Sequence, residues 1–204
     1  MHALVESGFI TKIFSNPKGF ILNDIQYPQD IFYKWTKDEK EAIGIYEVIT
    51  DSSNFKDKAY YNNTNEEYTF TDNQVVRSWG TATPKRLEDE NAVDENGDPI
   101  LDDDGKQIIN YGLKTEKKRI IKDQASGLLA PTDWYVVKAT EVADYNVPEN
   151  ITIFRADVRS KSNEMETQID ACNNVDELKA LYEYTEQEDG TITRPLAEFP
   201  VLES

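Results

Sequence analysis

Between Pro148 and Cys172 the apolar residues Ile151, Phe154, Val158, Met165, Ile169 and Cys172 fall three, four or seven positions apart. Residues so spaced share one face of an α-helix, and no strand can gather them. Arg155, Asp157, Arg159, Lys161, Glu164 and Glu166 lie between them and make a solvated face. Pro148 suits a first helical turn, where a missing N–H costs nothing. Asn173 and Asn174 end the helix. Asn174 is placed to cap the next one, with Glu177 three residues on to reach back. Val175, Leu178, Leu181 and Tyr182 give that next helix an apolar side, and the short joint between the two reads as a helical hairpin.

A third helix is expected over residues 115–129, with Ile120, Ile121, Gln124, Ala125, Leu128 and Leu129 facing inward and Lys117, Lys118, Arg119 and Lys122 outward. Pro131 ends it, because the residue before a proline is biased out of the helical region. Thr132 or Asp133 can cap a short turn that begins at Trp134.

The first half of the chain reads as short strands. Phe9 to Phe14 is one. Phe20 to Leu22 and Ile25 to Tyr27 flank Asn23-Asp24, a hairpin turn. Thr36-Lys37-Asp38-Glu39 is a capping box that starts a short helix, and Gly44 can take the left-handed conformation at its end. Ile45 to Ile49 is a further strand. Residues 58–78 are aromatic and extended, and Tyr68, Phe70 and the Asp72-Asn73 step imply an antiparallel meander. Tyr60, Tyr61, Tyr68 and Trp79 read first as a small sheet core. They are also the candidates for a glycan-stacking surface.

An eight-residue repeat follows: Asp94-x-x-Gly97-x-x-Ile100 recurs as Asp102-x-x-Gly105-x-x-Ile108. Its carboxylates are the oxygen ligands Ca²⁺ takes, but neither half has the Asp-x-Asp-x-Asp-Gly spacing and distal Glu of an EF-hand. Two glycine turns between short strands account for the pattern, which then forms an exposed, acidic hairpin arm.

Charge and composition narrow the function. Among 204 residues, 39 acids face 22 Lys and Arg, a formal net charge of −17. Free nucleic acid and anionic membranes repel such a chain, so neither is expected as a partner. The single histidine, His2, and single cysteine, Cys172, leave no Ser-His-Asp or Cys-His device away from the terminus, no internal disulfide and no His/Cys zinc set. No apolar run approaches the length of a membrane span, and no secretion signal is read at the N-terminus. The expectation is a protein that is not an enzyme, with no cofactor and no metal.

The run Leu128-Leu129-x-x-Thr132-Asp133-Trp134, then Val147-Pro148, Phe154-Arg155 and Val158-Arg159, resembles the C-terminal region of bacteriophage tail-fibre assembly proteins and related tail-fibre-associated proteins. Tyr27-Pro28, Trp35 and residues 39–44 resemble phage tail proteins that carry the same Thr-Asp-Trp region. The resemblance implies either a chaperone that folds fibres or a component retained near them. The long N-terminal half departs from the short chaperones. The expectation is therefore a virion tail protein, made in the host cytoplasm, whose partners are other phage tail or fibre proteins and which forms a homo-oligomer within an assembly.

The architecture expected is α+β. Residues 1–90 form a mostly antiparallel β domain, 91–112 the acidic arm, 113–184 a helical domain with a helical hairpin, and 185–204 an extended tail punctuated by Pro195 and Pro200. Trp134 reads first as a core residue that closes the helices. Arg155 and Arg159 read as exposed partners of nearby acids. With Phe199 and Leu202 of the tail, these three are also the candidate partner-binding residues.

Overall fold

A computed structural model describes residues 1–202, and the last two residues of the expected tail lie outside it. The fold is α+β, and the chain divides into two compact units, residues 1–84 and 85–204.

The first unit is built on hairpins. β1 (His2–Glu6) and β2 (Phe9–Phe14) meet through Ser7 and Gly8, at φ 52° and 84°. β3 (Phe20–Leu22) and β4 (Ile25–Tyr27) meet through Asn23 and Asp24, at φ 49° and 61°. Positive φ at both turn residues gives the twist that matches paired strands, and Gly, Asn and Asp tolerate it best. Two short helices follow, α1 (Ile31–Lys34) and α2 (Lys37–Glu41). Thr36 caps α2 through the expected box: its hydroxyl accepts from the Glu39 amide, and the Glu39 carboxylate accepts from the Thr36 amide at 2.8 Å.

β5 (Ile45–Thr50) returns beside β1. Then come β6 (Tyr61–Asn62), β7 (Glu67–Thr71), β8 (Gln74–Ser78) and β9 (Thr83–Pro84). The main sheet has the order β2-β1-β5-β8-β7, antiparallel except for β5 with β8. Of the meander expected for residues 58–78 only the β7–β8 hairpin forms, turned by Asp72 and Asn73 at φ 52° and 57°; residues 58–60 are a turn and β6 pairs with β9 in a sheet of its own. Both faces of β1 are covered. Leu4 packs with Phe14, Phe20, Ile31, Phe32 and Ile45 on one side, and Ala3 and Val5 with Val75 on the other.

The second unit opens with the acidic arm, and the arm is not a single hairpin. β10 (Glu90–Asn91) pairs with β11 (Ile109–Asn110), while Val93 bridges Pro99 and Leu101 bridges Gln107. Two hairpins therefore close on themselves. The amide of Ala92 donates to the Ile108 carbonyl at 2.8 Å, that of Ile108 to Ile100 at 2.9 Å, and that of Ile100 to Ala92 at 2.9 Å. These positions recur every eight residues, so the arm closes into a three-sided ring. The Gln107 side-chain nitrogen lies against the same carbonyls, 2.7 Å from Ala92, 3.0 Å from Ile108 and 3.1 Å from Ile100.

The helical part comprises α3 (Leu113–Leu129), a 3₁₀ turn at Ala130–Thr132, α4 (Asp133–Glu141), α5 (Glu149–Asp170) and α6 (Val175–Ala180). The two long helices, α3 and α5, pack side by side and run antiparallel, as the pairs Lys118–Asp170 (2.7 Å) and Lys122–Glu166 (3.1 Å) show. The apolar face read for α5 is buried throughout: Ile151, Phe154, Val158, Met165 and Ile169, with Cys172 just beyond the helix. Pro148 sits one position before the first turn. On α3 the buried residues are Leu113, Lys114, Ile121 and Ala125. Ile120 and Gln124, expected inside, are exposed, because the face turned to α5 is narrower than the stripe drawn on the sequence. Asn174 caps α6 as expected, its side chain accepting from the Glu177 amide at 2.9 Å, but the Glu177 carboxylate reaches one residue further back, to the Asn173 amide at 2.7 Å.

The tail is only partly extended. β12 (Thr185–Glu186) and β13 (Ile192–Thr193) form a hairpin turned at Gly190. Beyond it Leu196 is buried, and the Gln168 side chain grips both sides of it, donating to the Pro195 carbonyl and accepting from the Ala197 amide, each at 3.0 Å. The tail packs along its own unit.

Candidate interaction site

Pro131 does not simply stop α3. It lies in the 3₁₀ turn, where its missing N–H is harmless, and the chain re-enters a helix at Asp133. Thr132 caps nothing with its side chain. Its hydroxyl instead donates to the Leu129 carbonyl at 2.7 Å and accepts from Arg155 at 2.5 Å. The same Arg155 nitrogen lies 3.1 Å from the Leu129 carbonyl and 2.7 Å from the Asp133 carboxylate. Arg155, expected as an exposed surface charge, is therefore a joint residue with 11% of its side chain accessible. Arg155 and Arg159 share a helix stripe, but the α3–α4 elbow covers only the first. Arg159 is exposed and donates to the Arg155 carbonyl at 3.1 Å.

The elbow aims α4 away from the core. Trp134, read first as a core residue, is 52% exposed. Its ring lies 3.9 Å from that of Tyr135, and Lys138 reaches over both Trp134 and Tyr145. No residue of α4 is buried, although it carries Trp134, Tyr135, Val136 and Val137. Tyr135, Lys138 and Ala139 are half-buried on one side, while Trp134, Val136 and Val137 leave an exposed apolar side. Beside it, Val136, Val147, Thr152, Arg155, Ala156 and Arg159 line a groove of about 380 Å³ between α4 and α5.

The structure brings Trp134, Arg155 and Arg159 to one end of the α3–α5 pair. Phe199 and Leu202 lie elsewhere on α5. Phe199 is half-buried against Ala125, Phe154 and Val158, and Leu202 lines a separate groove with Ile153 and Asp157. Thr132, the Leu129 carbonyl, Val136 and Val147 complete the site. Leu129, Thr132 and Val147 stand in the resembling pattern and Val136 in no motif, but the roles of a hydroxyl, a main-chain oxygen and two valines come only from the elbow.

The glycan-stacking candidates do not make a platform. Tyr60 and Tyr61 are buried at 6% and 4% exposure and belong to the core of the first unit. The Tyr68 hydroxyl donates to Glu66 at 2.8 Å; burial and then this bond hold the phenol above its ordinary range, while the bonds from Tyr68 and Arg77 hold the carboxylate below its own. Trp79 is covered by Arg77, 4.5 Å from its ring, and by the edge of Phe55.

In the acidic arm Asp94 accepts from the amides of Asn96 and Asp98, and Asp102 from those of Asp104 and Lys106. These bonds hold the Asp94 carboxyl below its ordinary range. The repeated aspartates thus fasten their own turns. Among the described residues no group of three or more His, Cys, Asp or Glu is placed to hold a metal ion, and no helix is long and apolar enough to cross a membrane. Burial pushes the Cys172 thiol above its ordinary range, which disfavours the reactive thiolate. No family model, curated protein or solved structure matches the chain.

Proposed function

We propose that the chain is a non-enzymatic structural or adaptor component of a bacteriophage tail, associated with fibres or the tail tip. One observation carries this reading: residues of the resembling pattern, Leu129, Thr132, Asp133 and Arg155, fasten a single elbow that leaves Trp134 exposed on a helix with no fully buried residue. An exposed aromatic on a rigid element is the usual anchor of a protein interface. Mass spectrometry of purified virions tests the proposal. The chain is expected in particles, at a copy number matching the symmetry of the tail.

A second reading is favoured by the same exposed apolar side of α4: a fibre-assembly chaperone that binds through α4 and leaves. It requires co-purification with the unassembled fibre and absence from particles. A glycan-binding module is the weakest alternative, since Tyr60 and Tyr61 are buried.

A further inference from the structure

The floor of the α4–α5 groove is apolar, formed by Val136, Val147 and Ala156. Among the described residues its charged lining is two arginines and no acid, in a chain of net charge −17. Arg155 already has Asp133. Arg159 is exposed, donates to a main-chain carbonyl and, among the described residues, forms no ion pair. Such a groove fits an aliphatic side chain followed by free carboxylates.

The chain presents that chemistry in its own arm. Leu101 is 53% exposed at the start of the second turn of the three-sided ring, and Asp102, Asp103 and Asp104 follow it. Asp102 is engaged by the amides of its turn, at 3.0 and 2.8 Å. The Asp103 and Asp104 carboxylates are exposed and, among the described residues, in no ion pair.

We propose that the α4–α5 groove of one copy receives residues 101–104 of a second copy, with Leu101 on the Val136–Val147–Ala156 floor and Asp103 or Asp104 on Arg159. Two surfaces this acidic repel one another over most of their area, so a contact between copies forms where charge is locally opposite. The contact joins different patches of the two copies. It is therefore heterologous and builds a ring if the rotation closes or a filament if it does not. The proposal does not depend on the tail assignment, because it concerns the isolated protein.

Sedimentation velocity of the full chain tests it, at protein concentrations up to about 1 mM. Association is expected at low salt and is weakened in about 0.5 M salt, where exposed charge pairs are screened. Arg159→Glu or Leu101→Asp weakens association about tenfold or more, while circular dichroism shows an unchanged fold, since both side chains are exposed. Combining Arg159→Glu with Asp103→Arg and Asp104→Arg restores it, which a merely damaged protein would not do. A monomer under all conditions overturns the proposal and leaves the groove to a different chain. Association insensitive to Arg159→Glu and Leu101→Asp, or a charge exchange that fails to restore it, also overturns the pairing.

Discussion

The carboxylate of Asp133 lies 2.7 Å from the guanidinium of Arg155 and closes the elbow between α3 and α4 from the side of α5. The pair is more than a surface ion pair, because the same guanidinium serves the Leu129 carbonyl and the Thr132 hydroxyl. Arg155→Met keeps the stem and removes every donor. It is expected to lower stability by about 2–4 kcal/mol in urea unfolding, as for loss of one partner from a largely buried charged network. Arg159→Met, one turn along, should change stability by less than about 0.5 kcal/mol. Equal effects of the two substitutions would remove the elbow as an explanation of the first arginine.

Gln107 anchors the closed ring of the arm. Its amide nitrogen is within 3.1 Å of the Ala92, Ile100 and Ile108 carbonyls, which also carry the ring of main-chain bonds. Gln107→Glu places carboxylate oxygen against those oxygens. The amides of residues 92, 100 and 108 are then expected to exchange at least about tenfold faster, with amides of α3 and α5 unchanged. Unaltered protection at these positions would show that the main-chain bonds hold the ring unaided.

The sequence makes some of this legible for local reasons. The capping box at Thr36, the Asn23-Asp24 and Asp72-Asn73 turns and the α5 stripe each depend on residues within a few positions of one another, and all appear as read. What it hides depends on distant partners. β1 escapes notice because an inner strand with both faces covered has no polar alternation, as Ala3-Leu4-Val5 shows. The parallel pairing of β5 with β8 and the triangular closure of the arm are fixed by contacts between separated segments. The site is half legible. Trp134, Arg155 and Arg159 stand out, but which arginine is covered and which way the tryptophan faces follow from the bend at residues 130–132.

His2 makes the first unit sensitive to acid. Its ring lies 5.0 Å from that of Phe32, and burial, then Lys40 and the chain's amino terminus, hold its pKa below the ordinary 6.5 against the opposing pull of Glu47. The unfolded chain therefore binds the proton more readily than the folded one. The stability contributed by neutral His2 is full above the ordinary value and is lost as pH falls through it towards the lower folded value. Unfolding measured from about pH 7 down to about pH 5 should show a decline that is shallower in His2→Gln. An identical slope in the two proteins would assign the decline to the carboxylates.

Gly44 is constrained twice. It has φ +81°, and a Cβ there would stand 2.5 Å from the Val5 carbonyl oxygen. Gly44 and Val5 already touch through the Val5 amide, which donates to the Gly44 carbonyl at 2.8 Å. Gly44→Ala is expected to cost more than about 2 kcal/mol, because a main-chain oxygen on β1 must move as well as the left-handed conformation being strained. Gly97→Ala, at φ +89° with open space around it, should cost only about 1 kcal/mol. Comparing their chemical unfolding separates steric approach from backbone strain.

Leu196 decides whether the tail is a free arm or a fixed part of its unit. It is 1% exposed, its amide donates to the Leu181 carbonyl at 2.9 Å, and Gln168 holds the chain on both sides of it. Leu196→Ala is expected to lower stability by about 2–4 kcal/mol, the range for a buried leucine that leaves a cavity. Limited proteolysis should then cut the variant within the tail beyond Gly190 while the intact protein resists there. A tail cleaved equally fast in both proteins would mean that its ordering requires an outside partner, and Val201 and Leu202 would then become contact residues for that partner.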